Sequence, residues 1–413
     1  MQEPEPAATA WVLASTAMVV LMTFGVAFFY AGLVRRKNVV SMISLGLIAI
    51  VIVSLQWVLV GYSLSFAPST LGGLVGGLDH ALLRAVGMEP LEGTSIPGVL
   101  YAAFQMAFAA ITLAILTSPF AERARLAGFV VFGLLWTTLV YDVVAHWVWG
   151  GGAPHSIIEG ITGNTPLDFA GGLVVHTASG FSALAVALVI GPRRGFGERD
   201  FPPHSIPLTL VGAALIWFGW FGFNAGSALA ADGLAANALL VTHLAATAGA
   251  ASWGLASWSR GRPGSLGLAS GAVAGLVAIT PAAGYVGPLD SIVIGALAGL
   301  ASYKAVAWRI SRGLDESLDA WAIHGVAGAL GSLLVGVFAR EAIGGVPGLL
   351  EGNPGLLAAQ LLDTVVVIAY SLGVTLLIAR VVDSIVGLRV GEREEYVGLD
   401  LSLHGEEGYT WGE

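Results

Sequence analysis

The feature that most constrains this chain is a series of eleven apolar stretches, each long enough to cross a lipid bilayer as a helix. About 20 apolar residues span the ~30 Å hydrocarbon core. Of the 413 residues, 56% are hydrophobic and 11% are charged, so little polar surface remains for water. The pattern predicts an all-α polytopic membrane protein and excludes a disordered or nucleic-acid-binding chain. The predicted spans lie near residues 10–34, 41–66, 98–120, 126–149, 168–191, 205–227, 233–258, 265–285, 289–308, 319–340 and 354–386.

The basic residues indicate how these spans are oriented. Of 18 Lys and Arg residues, 16 lie in the connections after the odd-numbered spans, at the inner end of the ninth span, or at and beyond the end of the last. Only Arg84 and Arg340 lie on the other side. Because basic residues are retained on the cytoplasmic side, the N-terminus is predicted outside and the C-terminus inside. This topology is that of a multi-pass protein of a cell membrane.

The ends of the chain add little. Nine residues without Lys or Arg precede the first span, and no cleavage-like pattern follows it, so no signal peptide is predicted. The chain has no cysteine, which excludes disulfides and thiolate metal sites. The predicted organisation is an outer tail, a transmembrane domain made of two halves and an eleventh span, and a cytoplasmic tail. These parts cover residues 1–9, 10–386 (halves 10–191 and 205–340, eleventh span 354–386) and 387–413.

The two halves contain five spans each, and because five is odd they must run in opposite senses. Their last spans are alike: the fifth begins at Asp168 and carries His176-x-x-x-Gly180, and the tenth begins at Asp319 and carries His324-x-x-x-Gly328. Inverted repeats of this kind place a transport site at their interface, near the middle of the membrane. We therefore expect His176 and His324 to approach each other from opposite sides.

Ionisable residues inside a membrane are costly and usually line a cavity or pair with one another. Two neutral imidazoles in contact would offer N–H groups and lone pairs to a small polar guest, and an apolar site would disfavour the charged imidazolium. That suits a guest able to lose a proton. The alternative is two separate core histidines, each bonded to a backbone carbonyl.

The two aspartates at the starts of these spans have a simple structural interpretation. Asp168 and Asp319 could each accept hydrogen bonds from free N–H groups in the first helical turn. A functional alternative exists for Asp168, whose buried carboxylate would favour a cation arriving at the outer mouth.

Several aromatic residues share one depth on the predicted outer side. Aromatic faces attract cations, more strongly when the ion has lost its water. The alternative is the belt of aromatic residues common at membrane interfaces. The residues at this depth are Phe104, Phe108, Trp149, Phe223 and Ser227.

With these residues in view, the chain resembles the Amt branch of the Amt/Rh ammonium transporter family from Trp11 to about Glu407. The resemblance rests on long specific runs. They include Phe28-Phe-Tyr-Ala-Gly-Leu-Val-Arg-Arg-Lys-Asn38, Ala121-Glu-Arg123, Ala145-His-Trp-Val-Trp-Gly-Gly151, Asp168-Phe-Ala-Gly-Gly-Leu-Val-Val-His176, Gly219-Trp-Phe-Gly-Phe-Asn-Ala-Gly-Ser227, Ser270-Gly-Ala-Val-Ala-Gly-Leu276, Ile279-Thr-Pro-Ala-Ala-Gly284, His324-Gly325 and Val386-Gly-Leu-Arg-Val390.

The resemblance implies an eleven-helix protomer, a homotrimer and a pore through each protomer. Carried over by residue match, the roles are twin pore histidines (His176, His324), a stacked gate (Phe108, Phe223), an outer ammonium-recruiting site (Phe104, Phe108, Trp149, Ser227), supporting carboxylates (Asp168, Asp319), a lumen tryptophan (Trp220) and a pore-adjacent threonine (Thr280).

The function implied is passage of ammonium or ammonia, with methylammonium as an analogue, across a prokaryotic plasma membrane for nitrogen uptake. No cofactor, metal or enzymatic reaction is implied. Whether net ammonia crosses, or ammonium split into ammonia and a relayed proton, stays open. The competing hypotheses are an Rh-like gas channel, an ammonium sensor, and an intramembrane enzyme with His176, His324 and Asp168 as metal ligands, which their spacing disfavours.

Two segments need separate comment. The family pattern Tyr-x-Pro-x-Ala-His is here Tyr141-Asp-Val-Val-Ala-His146, so a kinking proline is missing and Asp142 stands four residues before His146. Asp142 is interpreted either as a solvated or locally bonded neighbour of His146 or as a charge that alters cation recruitment. By resemblance, the tail 391–413 packs on the cytoplasmic face, where PII-type signalling proteins dock. A mobile tail without a partner is the alternative.

Overall fold

The computed structural model describes residues 3–409, and this part of the chain is almost entirely helical. Ten of its helices are long and apolar enough to cross a membrane, and a shorter apolar helix occupies the predicted eighth span. The all-α fold class is therefore confirmed, while the count of eleven spans and the orientation of the termini stay predictions. The main helices are α1 (Pro6–Leu33), α2 (Arg36–Phe66), α3 (Gly98–Phe120), α4 (126–148), α5 (Gly172–Ile190), α6 (Ile206–Gly226), α7 (Gly233–Trp258), α8 (Ser265–Ile279), α9 (Pro288–Ser311), α10 (Trp321–Phe338) and α11 (Pro354–Ile385).

Two small elements in the connections are absent from the sequence-based prediction. A two-stranded antiparallel hairpin pairs Ser69–Thr70 with Val75–Gly76, and a short helix, Ala153–Thr162, follows α4. Strands of two residues are too short to leave a periodic pattern in the sequence. Both elements lie at the same end of the bundle, since Ala153 N donates to Gly73 O at 2.8 Å.

The first helices of the two halves, α1 and α6, pack closely along their lengths. A Cβ atom on Gly212 would overlap the backbone of Phe29, and one on Gly32 would overlap Thr209. Small residues at these points allow the helix backbones to approach, which is how helices associate where no water drives them together. The two halves are therefore in direct backbone contact.

A second crossing joins α5 and α10, and it explains the His-x-x-x-Gly repeat. A Cβ on Gly180 would overlap the backbone of Gly325, next to His324. A Cβ on Gly328 would lie 3.0 Å from the Cβ of His176. Each glycine, four residues after its own histidine, thus admits the histidine-bearing turn of the other helix. This reciprocity is what an inverted repeat predicts.

Buried ion pairs tie the helix connections together at one end of the bundle, which we call the basic end. Arg193 bonds Asp315 at 2.8 Å and Glu122 at 3.2 Å, and Arg123 bonds Asp315 at 2.7 Å. Burial raises the pKa of Glu122, but the Arg193 and Arg35 guanidiniums outweigh it and hold the pKa below its usual range. These charges are paired, as buried charges must be.

The tail packs against the basic end of the same chain. The Asp400 carboxylate accepts from Ser41 N at 2.8 Å, and Leu399 N donates to Asn38 at 2.9 Å. Glu395 accepts from Arg194 N at 2.6 Å. The described part of the tail is thus bonded to the start of α2. Residues 1–2 of the predicted outer tail and 410–413 of the predicted cytoplasmic tail lie outside the described residues.

Candidate functional site

A cavity of about 450 Å³, which we call the vestibule, opens at the end of the bundle opposite the basic end. Phe104 and Phe108 meet edge to face with ring centroids 4.8 Å apart, and Trp149 presents its edge to Phe108 at 6.2 Å. Four of the five predicted recruiting or gate residues line it, and the fifth, Phe223, lies beneath Phe108. The lining comprises Tyr101, Phe104, Gln105, Phe108, Val148, Trp149, Thr165, Pro166, Leu167, Asp168, Phe169, Ser227, Leu229 and Tyr285.

Two hydrogen bonds fix the polar parts of the vestibule wall. The Ser227 hydroxyl donates to Phe223 O at 2.8 Å, which leaves the lone pairs of its oxygen free of that bond. The Trp149 indole N–H donates to Asp168 O at 2.9 Å, so the ring is held at a fixed angle. The wall can therefore offer the Ser227 oxygen and several aromatic faces to a small cation.

The Asp168 carboxylate, beside the cavity, is bonded to the backbone. It accepts from Gly171 N, Gly172 N and Leu173 N at 2.7–2.8 Å and from Val174 N at 3.3 Å. These bonds cap the start of α5. Both oxygens of the carboxylate are therefore occupied by backbone N–H groups.

Beneath the vestibule, two phenylalanine rings close the path. Phe108 and Phe223 stack with centroids 4.1 Å apart and an angle of 20° between their planes. Both rings are buried. A guest that leaves the vestibule must displace these rings.

The two histidines lie below the stacked rings. His176 Nδ1 and His324 Nδ1 are 3.2 Å apart, with ring centroids 5.3 Å apart, and both side chains are buried. Two Nδ1 atoms at this distance share one proton, so each imidazole fixes the tautomer of the other. His176 Nε2 has no hydrogen-bond partner among the described residues and is free to meet a guest.

A π-helical turn presents each histidine. His176 lies in the turn Gly172–Thr177 and His324 in the turn Trp321–Gly325. π-Helical turns are rare in proteins, and those that occur often lie at functional sites. The sequence analysis predicted the helices and did not predict these turns.

Trp220 and Thr280 complete the wall beside the histidines. The Trp220 indole N–H donates to Thr280 Oγ1 at 2.8 Å, and the Trp220 ring stacks on His176 at 5.0 Å. Thr280 thus holds Trp220, and Trp220 holds His176. Beyond His324, a small apolar void lined by Val26, Tyr30 and Ile216 continues toward the basic end.

The predicted helix cap at Asp319 is wrong. Its carboxylate bonds Arg309 Nε at 2.7 Å, and the first-turn N–H of Trp321 donates instead to Glu316 at 3.1 Å. Asp319 has a positive φ of 63°, a backbone conformation that side chains rarely adopt. Glu316, also bonded by the Ser118 hydroxyl, takes the capping role.

Asp142 also differs from its first interpretation. It is fully buried and bonds Gln56 at 2.6 Å, with no bond to His146. His146 is held by Ser65 O at 3.0 Å and Ser69 Oγ at 2.9 Å. Asp142 is therefore neither solvated nor a local partner of His146.

Sequence reasoning missed several residues that the fold brings to the site. Gln105 and Tyr101 stand about one and two turns from Phe108 on α3, and the resemblance did not single them out. Their helical spacing from Phe104 and Phe108 was the available signal. In residues 3–409, no three acidic or histidine side chains gather closely enough to hold a metal ion.

A bundle of apolar helices with a vestibule, an aromatic closure and a buried histidine pair on one line defines a multi-pass membrane protein of the transporter class. Residues 10–409 match the model of the Ammonium Transporter Family, so the chain belongs to that family.

Individual relatives agree with this assignment. The chain is 54% identical to the ammonium transporter Amt1 of Archaeoglobus fulgidus over 401 residues, which cover 97% of this chain and 98% of that one. The crystal structure of Saccharomyces cerevisiae Mep2 superposes with a TM-score of 0.88 at 34% identity, covering 95% of this chain and 89% of that one. The solved structure of a sensor Amt protein gives a TM-score of 0.88 at 29% identity, covering 96% and 98%.

Proposed function

We propose that the protein conducts ammonium-derived ammonia through a pore in each protomer, after recruiting ammonium in the vestibule and removing its proton. The observation that carries the proposal is the order of the three parts: an aromatic vestibule, the Phe108–Phe223 stack, and the His176–His324 pair directly below. Each part corresponds to one step that ammonium transport requires.

Recruitment follows from the vestibule wall. Ammonium carries four N–H donors and one positive charge, so it gains from the Ser227 oxygen and from the faces of Phe108 and Trp149. The Asp168 charge adds long-range attraction without occupying a ligand position. Potassium resembles ammonium in charge and size, so the vestibule alone separates them poorly.

Selectivity is set below the stacked rings. A bare cation entering this apolar path would lose its hydration without receiving an ion partner, which is costly. Ammonium avoids the cost by giving its proton to a separate relay, of which the His176–His324 pair is a member, and potassium has no proton to lose. The histidine pair then offers N–H and lone-pair edges to neutral ammonia along an otherwise apolar lumen.

The remaining features of the proposal concern location and assembly. We infer a homotrimer in a prokaryotic plasma membrane, with the vestibule outside and the basic end in the cytoplasm, where the positive-inside rule places it. A PII-type protein would dock at the basic end. The 54% identity to the archaeal transporter of A. fulgidus supports the prokaryotic setting.

The test is current measured on a solid-supported membrane after an ammonium pulse. We expect a transient current that saturates with ammonium and is absent with potassium, because a proton is relayed separately. The variant that removes both pore histidines, His176→Ala/His324→Ala, should lose selectivity against potassium. His243→Ala, which removes an exposed histidine from α7, is the matched control and should behave as wild type.

Each of the other outcomes would favour a different function or mechanism. Ammonia flux without current, followed with an internal pH dye, would show a neutral gas channel. Ammonium binding with neither current nor flux would overturn transport and favour a sensor that reports through the tail. Selectivity unchanged in the double variant would remove the histidines from the mechanism.

A further inference from the structure

A buried polar pair lies apart from the conduction path, between α2 and α4. Gln56 Nε2 donates to Asp142 Oδ2 at 2.6 Å and to Thr138 Oγ1 at 3.1 Å. Gln56 is 5% exposed and Asp142 is fully buried. Nothing in the proposed transport mechanism uses this pair.

Two oxygen atoms of the pair need a hydrogen-bond donor that the described residues do not supply. Within residues 3–409, neither Asp142 Oδ1 nor Gln56 Oε1 has a hydrogen-bond partner. Both atoms are acceptors when the carboxyl is ionised. The described structure gives the Asp142 carboxyl a partner in Gln56 and no partner among basic side chains. A carboxylate buried among apolar helices without a counter-ion is strongly disfavoured and takes up a proton instead.

The backbone on both sides is shaped around the pair. A π-helical turn, Trp57–Gly61, begins directly after Gln56, and another, Thr137–Tyr141, ends directly before Asp142. A Cβ on Gly61 would lie 2.6 Å from Gln56 Oε1, so glycine leaves room for the amide. Each π-helical turn gives up regular α-helical hydrogen bonds. Two such turns beside one buried pair therefore indicate that both helices are shaped around it.

We propose that Asp142 and Gln56 form a proton-binding site, in which the carboxyl of Asp142 holds a proton and pairs with the amide as a neutral acid–amide couple. With the proton on Oδ1, the acid O–H would donate to Gln56 Oε1, while Gln56 Nε2 continues to donate to Oδ2, so both atoms that lack a partner would gain one. No other bond forms or breaks.

Within residues 3–409, no other charged group bonds the pair. The Asp168 carboxylate is bonded by backbone N–H groups, and His146 is held by Ser65 and Ser69. Asp363 on α11 is bonded by His155 at 2.8 Å, and His80 packs on Tyr62. The phenols on the elements packed here are Tyr62 on α2, Tyr101 on α3, Tyr141 on α4 and Tyr370 on α11.

The inference does not rest on the proposed function, and its test measures no transport. Infrared spectra of the protein in liposomes should contain, at neutral pH, a C=O stretching band of a protonated carboxyl that is lost in Asp142→Asn. The asparagine keeps the amide pairing and removes the acid. Asp232→Asn, which changes an exposed helix-capping aspartate, is the matched control and should leave the band in place.

A second variant covers the case in which Asp142→Asn fails to fold. Gln56→Leu removes the partner, and in protein labelled with isotopic aspartate it should shift the same band or convert it to a carboxylate band. A spectrum with no protonated-carboxyl band from Asp142 at neutral pH would overturn the proposal. So would a carboxylate band that moves when choline replaces sodium and potassium, since that would show a bound cation in place of the proton.

Discussion

At the scale of single residues, Ser227 supplies the hydroxyl among the five predicted recruiting and gate residues. Its bond to Phe223 O orients its lone pairs. A hydrogen bond to a charged partner contributes on the order of 1.5 kcal/mol. In the proposed recruiting site, part of the affinity for ammonium should therefore come from this oxygen and part from the aromatic rings.

Replacing Ser227 with alanine should weaken recruitment without closing the path. We expect the ammonium concentration for half-maximal current to rise about five- to tenfold, with the maximal current little changed. Ser156→Ala, on the surface of the short helix after α4, is the control and should leave both values unaltered. A lower maximal current with unchanged half-saturation would place Ser227 in the conduction step instead.

The buried carboxyl of Glu316 leads to a different prediction, on how stability depends on pH. Burial raises the pKa of Glu316 from its ordinary 4.5 to about 7, although the nearby Arg309 charge opposes the shift. The folded state therefore binds this proton more tightly than the unfolded state. The stabilising contribution is complete below pH 4.5 and is lost as pH rises to about 7.

Thermal unfolding of the purified protein should show this loss. Wild-type stability should fall by up to about 3 kcal/mol between these two pH values, and Glu316→Gln should flatten that part of the profile. Glu341→Gln, a carboxylate outside the buried cluster at the other end of the bundle, should keep the wild-type slope. Parallel profiles for wild type and Glu316→Gln would mean that Glu316 is ionised in the folded state.

Sequence reasoning reached the residues whose roles follow from position within one helix. The histidines were predicted to meet because of their matched places in two similar spans, and the fold puts their Nδ1 atoms 3.2 Å apart. It could not predict contacts between segments that are far apart in the sequence. Gln56 and Asp142 are 86 positions apart, and no local pattern in either helix signals the other.

At the scale of elements, the crossing of α5 and α10 brings two helix backbones into direct contact. Gly180 meets Gly325 with no space for another atom, and Gly328 meets the turn that bears His176. Helix pairs with small residues at their contact depend on that closeness for their packing energy. The distance between the two imidazoles follows directly from the separation of these helices.

Adding one methyl group should therefore disturb the histidines more than the fold. We expect Gly180→Ala to lower stability by about 1–3 kcal/mol and to reduce ammonium current severely. Gly373→Ala, in α11 where a Cβ meets open space, is the matched control and should be neutral or slightly stabilising. Normal current in Gly180→Ala would show that the pore tolerates a wider histidine separation.

Element boundaries were largely predictable, since hydropathy fixes where a chain enters and leaves a membrane. The predicted span 233–258 coincides with α7, and α11 ends one residue before its predicted limit. The π-helical turns were not predictable. They replace one hydrogen-bond register with another inside a continuous helix, and tertiary packing decides that choice.

At the scale of the whole molecule, the tail links the end of the chain to its beginning. The Asp400 carboxylate accepts from Ser41 N in the first turn of the regular part of α2, as a helix cap supplied from 359 positions away. Lys37 donates to the Glu395 carbonyl at 3.1 Å. The tail thus stabilises the start of a helix that also carries Gln56.

Removing that cap should free the tail and leave the membrane domain intact. We expect Asp400→Ala to accelerate tryptic cleavage at Arg393 several-fold, while the melting temperature of the core changes little. Glu406→Gln, an exposed tail residue, should be cleaved at the wild-type rate. Unchanged cleavage in Asp400→Ala would show that other contacts hold the tail.

The close contacts between α1 and α6 and between α5 and α10 limit how the two halves can move against each other. Transporters built from inverted repeats usually rock one half against the other, and such motion needs a surface on which the halves can slide. Here the halves interlock through backbone atoms at two crossings. These crossings leave little surface for one half to slide on the other. If the protein conducts as proposed, we expect the helices to stay in place and the stacked rings of Phe108 and Phe223 to move, so that side-chain rotation sets the rate.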